Sequence, residues 1–265
     1  MKIFALFFAL LVNPSFAADL GEYLKFFDSK VYSLKTKGVK DFTVEISSSK
    51  LTKQLNDLKS FGEIKNLRFK IYWTANPERL DIEVLGMPDG FLQLKDELRA
   101  SILPVLDNLL PMTLAQRLPG YKFTSGKEKS SIVATDTTGL APIPSYTLKF
   151  DAQDRLIKIV GNRPLGTQEI DFTFEKKAFS DGKWALVSVV QEVSDNGQII
   201  KVTRNLNYGS TQGIGTLSSV DISTEQELKK EGSRPVSQSD MIEFSNYQIN
   251  SGAAFKHFLS DSKSN

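Results

Sequence analysis

The stretch RFKIYWTANPERLDIEVLG, residues 68–86, alternates residue types along two runs separated by a tight turn. Leu67, Phe69, Ile71 and Trp73 fall on one side of the first run, and Arg68, Lys70 and Tyr72 on the other. Leu80, Ile82 and Val84 then alternate with Arg79, Asp81 and Glu83. A period of two sends successive side chains to opposite faces of an extended chain, so this is a hairpin with one buried face. The same pattern recurs along most of the chain. The apolar face must therefore close on itself or leave room for a guest.

In the second half the alternation runs through Tyr146, Leu148 and Phe150, then Leu156, Ile157 and Ile159, then Ile170, Phe172 and Phe174. It continues from Trp184 to Val193, through Ile200, Val202, Leu206 and Tyr208, and on to Leu217, Val220 and Ile222. DAQDR and SDNGQ read as hairpin turns, with Gly197 suited to the positive φ of a tight turn. A Gly, Ser and Pro stretch, EGSRPVSQSD, leads into a last strand, MIEFSNYQI, and a terminal helix. About ten strands follow one another as a meander, and meanders of this length curl.

Helical patterns flank these strands. Leu20, Leu24, Phe27, Val31 and Leu34 form one apolar stripe, with Asp19 as N-cap and Gly38 as stop. KLTKQLNDLKSFGEIKN carries a short helix, and Phe91, Leu94, Leu98 and Ile102 sit at helical spacing, with Pro104 and Pro111 expected to kink or break that helix. From Ile102 to Leu118 the chain is apolar on nearly every side, so it is deeply covered or itself covers something apolar. A closed small barrel would leave these helices little to meet. The expected fold is α+β, mainly antiparallel β: a strongly curved incomplete barrel with helices over its concave apolar face.

Lys2, the apolar run IFALFFALLV and the small residues Ser15 and Ala17 read as a signal peptide cleaved after Ala17. The run is too short to span a bilayer. Residues 18–260 are then a single domain with a helical lid or insertion at about 87–120, and 261–265 a disordered tail. The expected location is the periplasm, without a permanent membrane anchor, as a monomer. The chain carries 33 Lys and Arg against 31 Asp and Glu, scattered rather than clustered, which argues against nucleic acid as a partner. It has no cysteine, hence no disulfide, no thiolate chemistry and no lipid-modified cysteine.

Residues suited to catalysis are few, and the chain is read as a non-enzyme needing no cofactor or metal. His257, the single histidine, lies beside Phe255 and Phe258 as a packing residue. GSTQGIG at 209–215 lacks the lysine and hydroxyl of a phosphate loop and stands between two strands. SSSK at 47–50 has the Ser-x-x-Lys spacing at Ser47 and Lys50, without the Lys-Thr-Gly element that accompanies it in acyl enzymes. Asp151 with Asp154, and Asp81 with Glu83, sit in turns or on charged strand faces. Arg204 is different, because strict alternation in IIKVTRNLNY places it among buried side chains. A buried guanidinium needs partners. It reaches water through a bulge or at a rim, or it latches a covering helix or loop by bonding to carbonyls.

YTLKFDAQDRLIKIVGNRPLGTQEIDFTF, WALVSVVQEVSDNGQIIKVTRNLNYGSTQGIGTLSSVDIS and FSNYQINSGAAFKHF, with Asn250 and a late phenylalanine, together resemble the periplasmic lipoprotein carriers of the Lol system and related outer-membrane lipoprotein-sorting proteins. The likeness covers residues 145–258 and is one of strands and turns. It implies an incomplete barrel lidded by helices, whose apolar hollow shields the acyl chains of lipid or of an acylated lipoprotein. Two departures stand out: Met87–Gly120 is an insertion or enlarged lid, and Arg204 does not align with the carriers' latch arginine, which lies on an early strand. Lacking a cysteine, the chain is also not the anchored receptor of such a pair. The residues expected to line the hollow are Phe69, Ile71, Trp73, Leu106, Leu110, Leu148, Phe172, Val189, Val202 and Arg204. Two other readings stay open: a sensory or interaction module that recognises an envelope protein, its hollow filled by its own side chains, and an exported hydrolase supported by Ser47 or His257.

Overall fold

The first strand of the sheet in chain order lies in the sheet's interior. A computed structural model describes residues 20–58, 64–88, 90–128, 130–228 and 235–261. The signal peptide read at 1–17 and residues 262–265 of the tail lie outside the described residues. Helix α1 (Leu20–Lys30) leads to β1 (Asp41–Ser48), α2 (Ser49–Asp57), β2 (Arg68–Ala75) and β3 (Glu78–Leu85). Helices α3 (Leu92–Leu109) and α4 (Leu114–Arg117) follow. A meander then runs through β4 (Tyr121–Ser125), β5 (Ser131–Asp136), β6 (Ser145–Phe150), β7 (Leu156–Arg163), β8 (Gly166–Lys176), β9 (Trp184–Asp195), β10 (Gln198–Thr211), β11 (Ile214–Leu228) and β12 (Val236–Ile249), ending in α5 (Ala253–Asp261). Helix α5 thus extends one residue into the stretch read as a tail.

All twelve strands form one antiparallel sheet in the order β3-β2-β1-β12-β11-β10-β9-β8-β7-β6-β5-β4, and it is not closed, because β3 and β4 are its edges. Strand β1 lies between β2 and β12, with Phe42 opposite Trp73 on one side and Ile249 on the other. The sequence reading had about ten strands; the two it passed over are β4 and β5. Most of β4 is exposed, and β5 buries only Ile132, Ala134 and Ser131, so neither shows a long apolar alternation.

Two cores form where helices meet this sheet. In the first, Leu98, Ile102, Val105 and Leu106 of α3 and Leu55 of α2 pack with Phe42, Ile46, Phe69, Ile71, Trp73, Val220 and Phe244. In the second, Leu24 and Phe27 of α1 and Leu114 of α4 pack with Ile132, Leu148, Phe150 and Phe174. Leu186 of β9 touches both. The stripe from Leu20 to Leu34 is not one helix. Helix α1 stops at Lys30, and Leu34 joins the other core. Ser33 and Thr36 explain the stop, since each side chain accepts the other's backbone N–H and so competes with helical bonding.

Pro104 does not break α3. Both Pro104 and Ala100, whose carbonyl loses its helical donor, are exposed, so water satisfies the freed oxygen. Pro111 does end the helix: Leu110 before it has φ −124° and ψ 73°, outside the α region. Helix α5 covers the opposite face of β1 and β2, where the His257 ring stacks on Tyr72 at 3.7 Å and 7° while Nε2 meets Asp81 at 2.7 Å. That cover explains why the polar Thr43 and Thr74 are buried.

Trp73 is 1% exposed and stacks on Phe42, so Trp73→Ala is expected to cost about 3–5 kcal/mol in urea unfolding. Leu103→Ala, on the 51% exposed side of α3, should stay within about 0.5 kcal/mol. Leu106 is 4% exposed, so the pair Leu106→Asp and Leu110→Asp should abolish the circular dichroism of the folded protein instead of merely opening a lid.

Candidate functional site

Between the two cores, over β7 to β10, the side chains leave a cavity of about 350 Å³. Leu156, Ile159, Phe172, Phe174 and Leu186 make an apolar floor. Phe27, Asp28 and Val31 at the end of α1 form one wall; Asn108, the Pro111–Thr113 joint, Leu114 and Arg117 form the other. Strand pairing sets the floor, because Phe172 lies opposite Val189 and Phe174 opposite Leu186 across a bulge. Tyr32 and Tyr208 turn their rings toward the space and donate their hydroxyls to Gly215 O at 2.7 Å and Leu186 O at 2.9 Å. Burial pushes the Tyr32 hydroxyl up to about 12 and the Tyr208 hydroxyl well above its ordinary value.

The charged groups gather along the helical wall. Arg117 Nη1 pairs with Asp107 Oδ2 at 2.5 Å, and its Nε donates to Met112 O at 3.1 Å, which braces α4 against the end of α3. Asp28 Oδ1 accepts the Leu114 N–H at 3.4 Å. Burial pushes the Asp28 carboxyl up to about 6, outweighing the opposing effects of that hydrogen bond and of Arg117.

The residues expected to line a hollow are divided. Phe69, Ile71, Trp73 and Leu106 are closed into the first core, with Leu110 packed against it, and Leu148 is closed into the second. None of these six lines the cavity; Phe172 does. Val189 is buried between Phe172 and Arg204 in the same cross-strand row, and Val202 is half-buried. Alternation at Arg204 therefore holds, without a bulge at that residue. The carbonyl latch is not formed: Arg204 makes no hydrogen bond or ion pair with a described residue. It is instead desolvated, which lowers its pKa, and feels the attraction of Asp107 on α3.

Asp28, Leu186, Tyr208 and Arg117 were not singled out as site residues. The available signals were an acid directly after the buried Phe27 and a proline dividing two apolar helical runs. Elsewhere, Lys50 donates to Gln238 Oε1 at 3.2 Å, and the neighbouring Ser48 caps α2 and bonds Asp240. Among the described residues no His, Cys, Asp or Glu cluster is arranged to hold a metal ion. A trough of about 410 Å³ is lined by Ser49, Lys50, Asp221 and Asp240 together with Ile222 and Met241, and a hollow of about 310 Å³ lies beside the β4–β5 hairpin at the sheet's edge.

Arg204 is half-buried, and its partial desolvation brings no bonded ion pair in return. Arg204→Met is therefore expected to leave thermal stability unchanged or to raise it by about 1–2 kcal/mol, measured by denaturant unfolding. A loss of several kcal/mol would mean that attraction to Asp107 outweighs desolvation.

No family model matches the chain, and no curated protein or solved structure matches it either.

Proposed function

We propose that this protein is an exported carrier or binding protein that holds lipid, or the acyl chains of a lipoprotein, in the cavity beneath α1 and the α3–α4 joint. The observation that carries the reading is a space of about 350 Å³ with an apolar floor, left between the two cores. Its size and its largely apolar surface suit a small-molecule site. Burial of each acyl methylene contributes about 0.8 kcal/mol, so a dozen would contribute on the order of 10 kcal/mol before ordering costs. Such a protein needs no catalytic group.

The reading includes a sheet curved into an incomplete barrel with the helices on its concave face. Twelve strands laid flat would separate the edges by roughly 50 Å, whereas α3 is roughly 27 Å long. Curvature lets one helical connection join the edges while packing on the sheet between them. The apolar face continues past the cavity through the half-buried Ile170, Val193, Ile200 and Val202, which would meet the remainder of a long chain. The signal-peptide pattern at Lys2–Ala17 supports a periplasmic setting.

The closure of Phe69, Ile71, Trp73 and Leu148 favours the second reading, an envelope sensor or interaction module whose hollow is filled by its own side chains. Titration with a pyrene-labelled lysophosphatidylcholine separates the two. Saturable binding is expected of the carrier, and Leu186→Trp should weaken it at least about tenfold while leaving the melting temperature within a few degrees, because the indole occupies the floor. No binding by the native protein, together with no lipid in an organic extract, would leave the sensor.

A further inference from the structure

Hydrogen-bond donors at the end of α3 outnumber the groups that accept from them. Asn108, which lines the cavity, has its side-chain Nδ2 buried with no bonded partner. Arg204 carries five N–H donors and makes no hydrogen bond or ion pair with a described residue. Strand pairing fixes where it stands: Phe172 of the cavity floor, Val189, Arg204 and Ile222 lie side by side on β8, β9, β10 and β11. At the usual spacing of strands its Cα is about 10 Å from that of Phe172. Tyr208, which also lines the cavity, follows on the same strand. The acid whose charge Arg204 feels is Asp107, and that acid is already committed to Arg117 through Oδ2. Two guanidinium groups thus stand against one carboxylate, and a positive charge is left over beside an apolar floor. The cavity's other acid, Asp28, is offset by Lys25 of the same helix, and Lys35 is paired with Glu78.

We propose that Arg204, with Asn108 Nδ2 as a second donor, receives the anionic headgroup, a carboxylate or a phosphate, of a single-chain amphiphile whose acyl chain lies in the cavity. This rests on the acyl-binding reading and narrows it, because the guest must carry a negative charge at one end. A guanidinium is weakly hydrated, and its parallel N–H groups match two oxygens of a carboxylate or phosphate. In a partly desolvated setting those charge-assisted bonds are stronger than in water. Arg204 is half-buried, so a headgroup reaches it from the seam while the methylenes pass to the floor. The guest supplies the partner that the fold does not.

Calorimetric titration at pH 8 with dodecanoate, dodecyl phosphate and monolauroylglycerol, each below its critical micelle concentration, compares one chain length under three headgroups. Both anions are expected to bind at least about tenfold more tightly than the neutral ester. In Arg204→Met that ratio should fall to within about threefold of unity, and Arg204→Lys should keep part of it. Asn108→Ala removes a donor without changing the charge and should lower the ratio about threefold. Carbon NMR of carboxyl-labelled dodecanoate on the native protein needs no variant, and the bound carboxyl should titrate at lower pH than the free acid, because the guanidinium favours its ionised form. Equal affinity for charged and neutral ligands, a ratio unchanged in Arg204→Met, or a bound carboxyl titrating at or above the free acid would overturn the headgroup site while keeping the carrier. Binding of none of the three ligands would overturn both. Tighter binding of dodecanoate would assign a fatty acid as guest, and tighter binding of dodecyl phosphate a lysophospholipid.

Discussion

The pairing of β1 with β12 is the constraint on which the rest depends. The first strand of the chain lies against the last, in the interior of the sheet, with Phe42 opposite Ile249 and Ile46 opposite Phe244. Once β1 is enclosed this way, β2 and β3 grow outward to one edge, and the meander must start from the other edge to return to β12. The connection between β3 and β4 has no choice but to run from edge to edge. That is why a segment apolar on nearly every side, Ile102 to Leu118, falls there: α3 and α4 must bury themselves against whatever they cross. This is also a costly pairing to find, since it joins residues some two hundred positions apart and must overcome loop-closure entropy before any contact rewards it.

The crossing produces two cores in place of one. Helix α3 packs on the sheet around β1, and α1 with α4 packs around β6 to β8, so a seam is left where the groups part. Leu186 is the partly buried residue that packs against both. The polar atoms at the seam are partly committed already, with Tyr32 and Tyr208 bonded to backbone carbonyls. Those bonds leave aromatic faces, not hydroxyls, toward the space, which keeps it suited to apolar occupants.

Much of the architecture was legible in the sequence because a period of two is a local signal. Phe69, Ile71 and Trp73 could be assigned to one face before any partner strand was known, and the same holds for Leu148 and Val202. The cavity was not legible, because whether a face is filled depends on which distant element covers it. Trp73 and Phe172 look alike in alternation; one is sealed under α3 and the other opens on the seam. The short β4 and β5 were passed over for a related reason: β4 is an edge strand that is mostly exposed, and β5 beside it is only six residues long, so neither carries a long apolar alternation. Pro104 leaves α3 unbroken, since the cost of an interior proline depends on whether its freed carbonyl meets water.

The charges at the seam make the last step of the argument. Arg204 sits in an apolar row between Val189 and Ile222, and Asp28 sits beside Phe27, each desolvated and each without the geometry that makes a buried ion pair favourable. An apolar residue at either position would be the more stable choice for a static core, and the rest of both cores is built that way. Both are only half-buried, so each reaches solvent at the seam instead of being sealed beneath a core. Both lie beneath or beside the α3–α4 connection, the segment that the sheet's topology requires to cross it and that Pro111 divides. The half-buried charges and the least continuous part of the backbone thus coincide at the seam between the two cores.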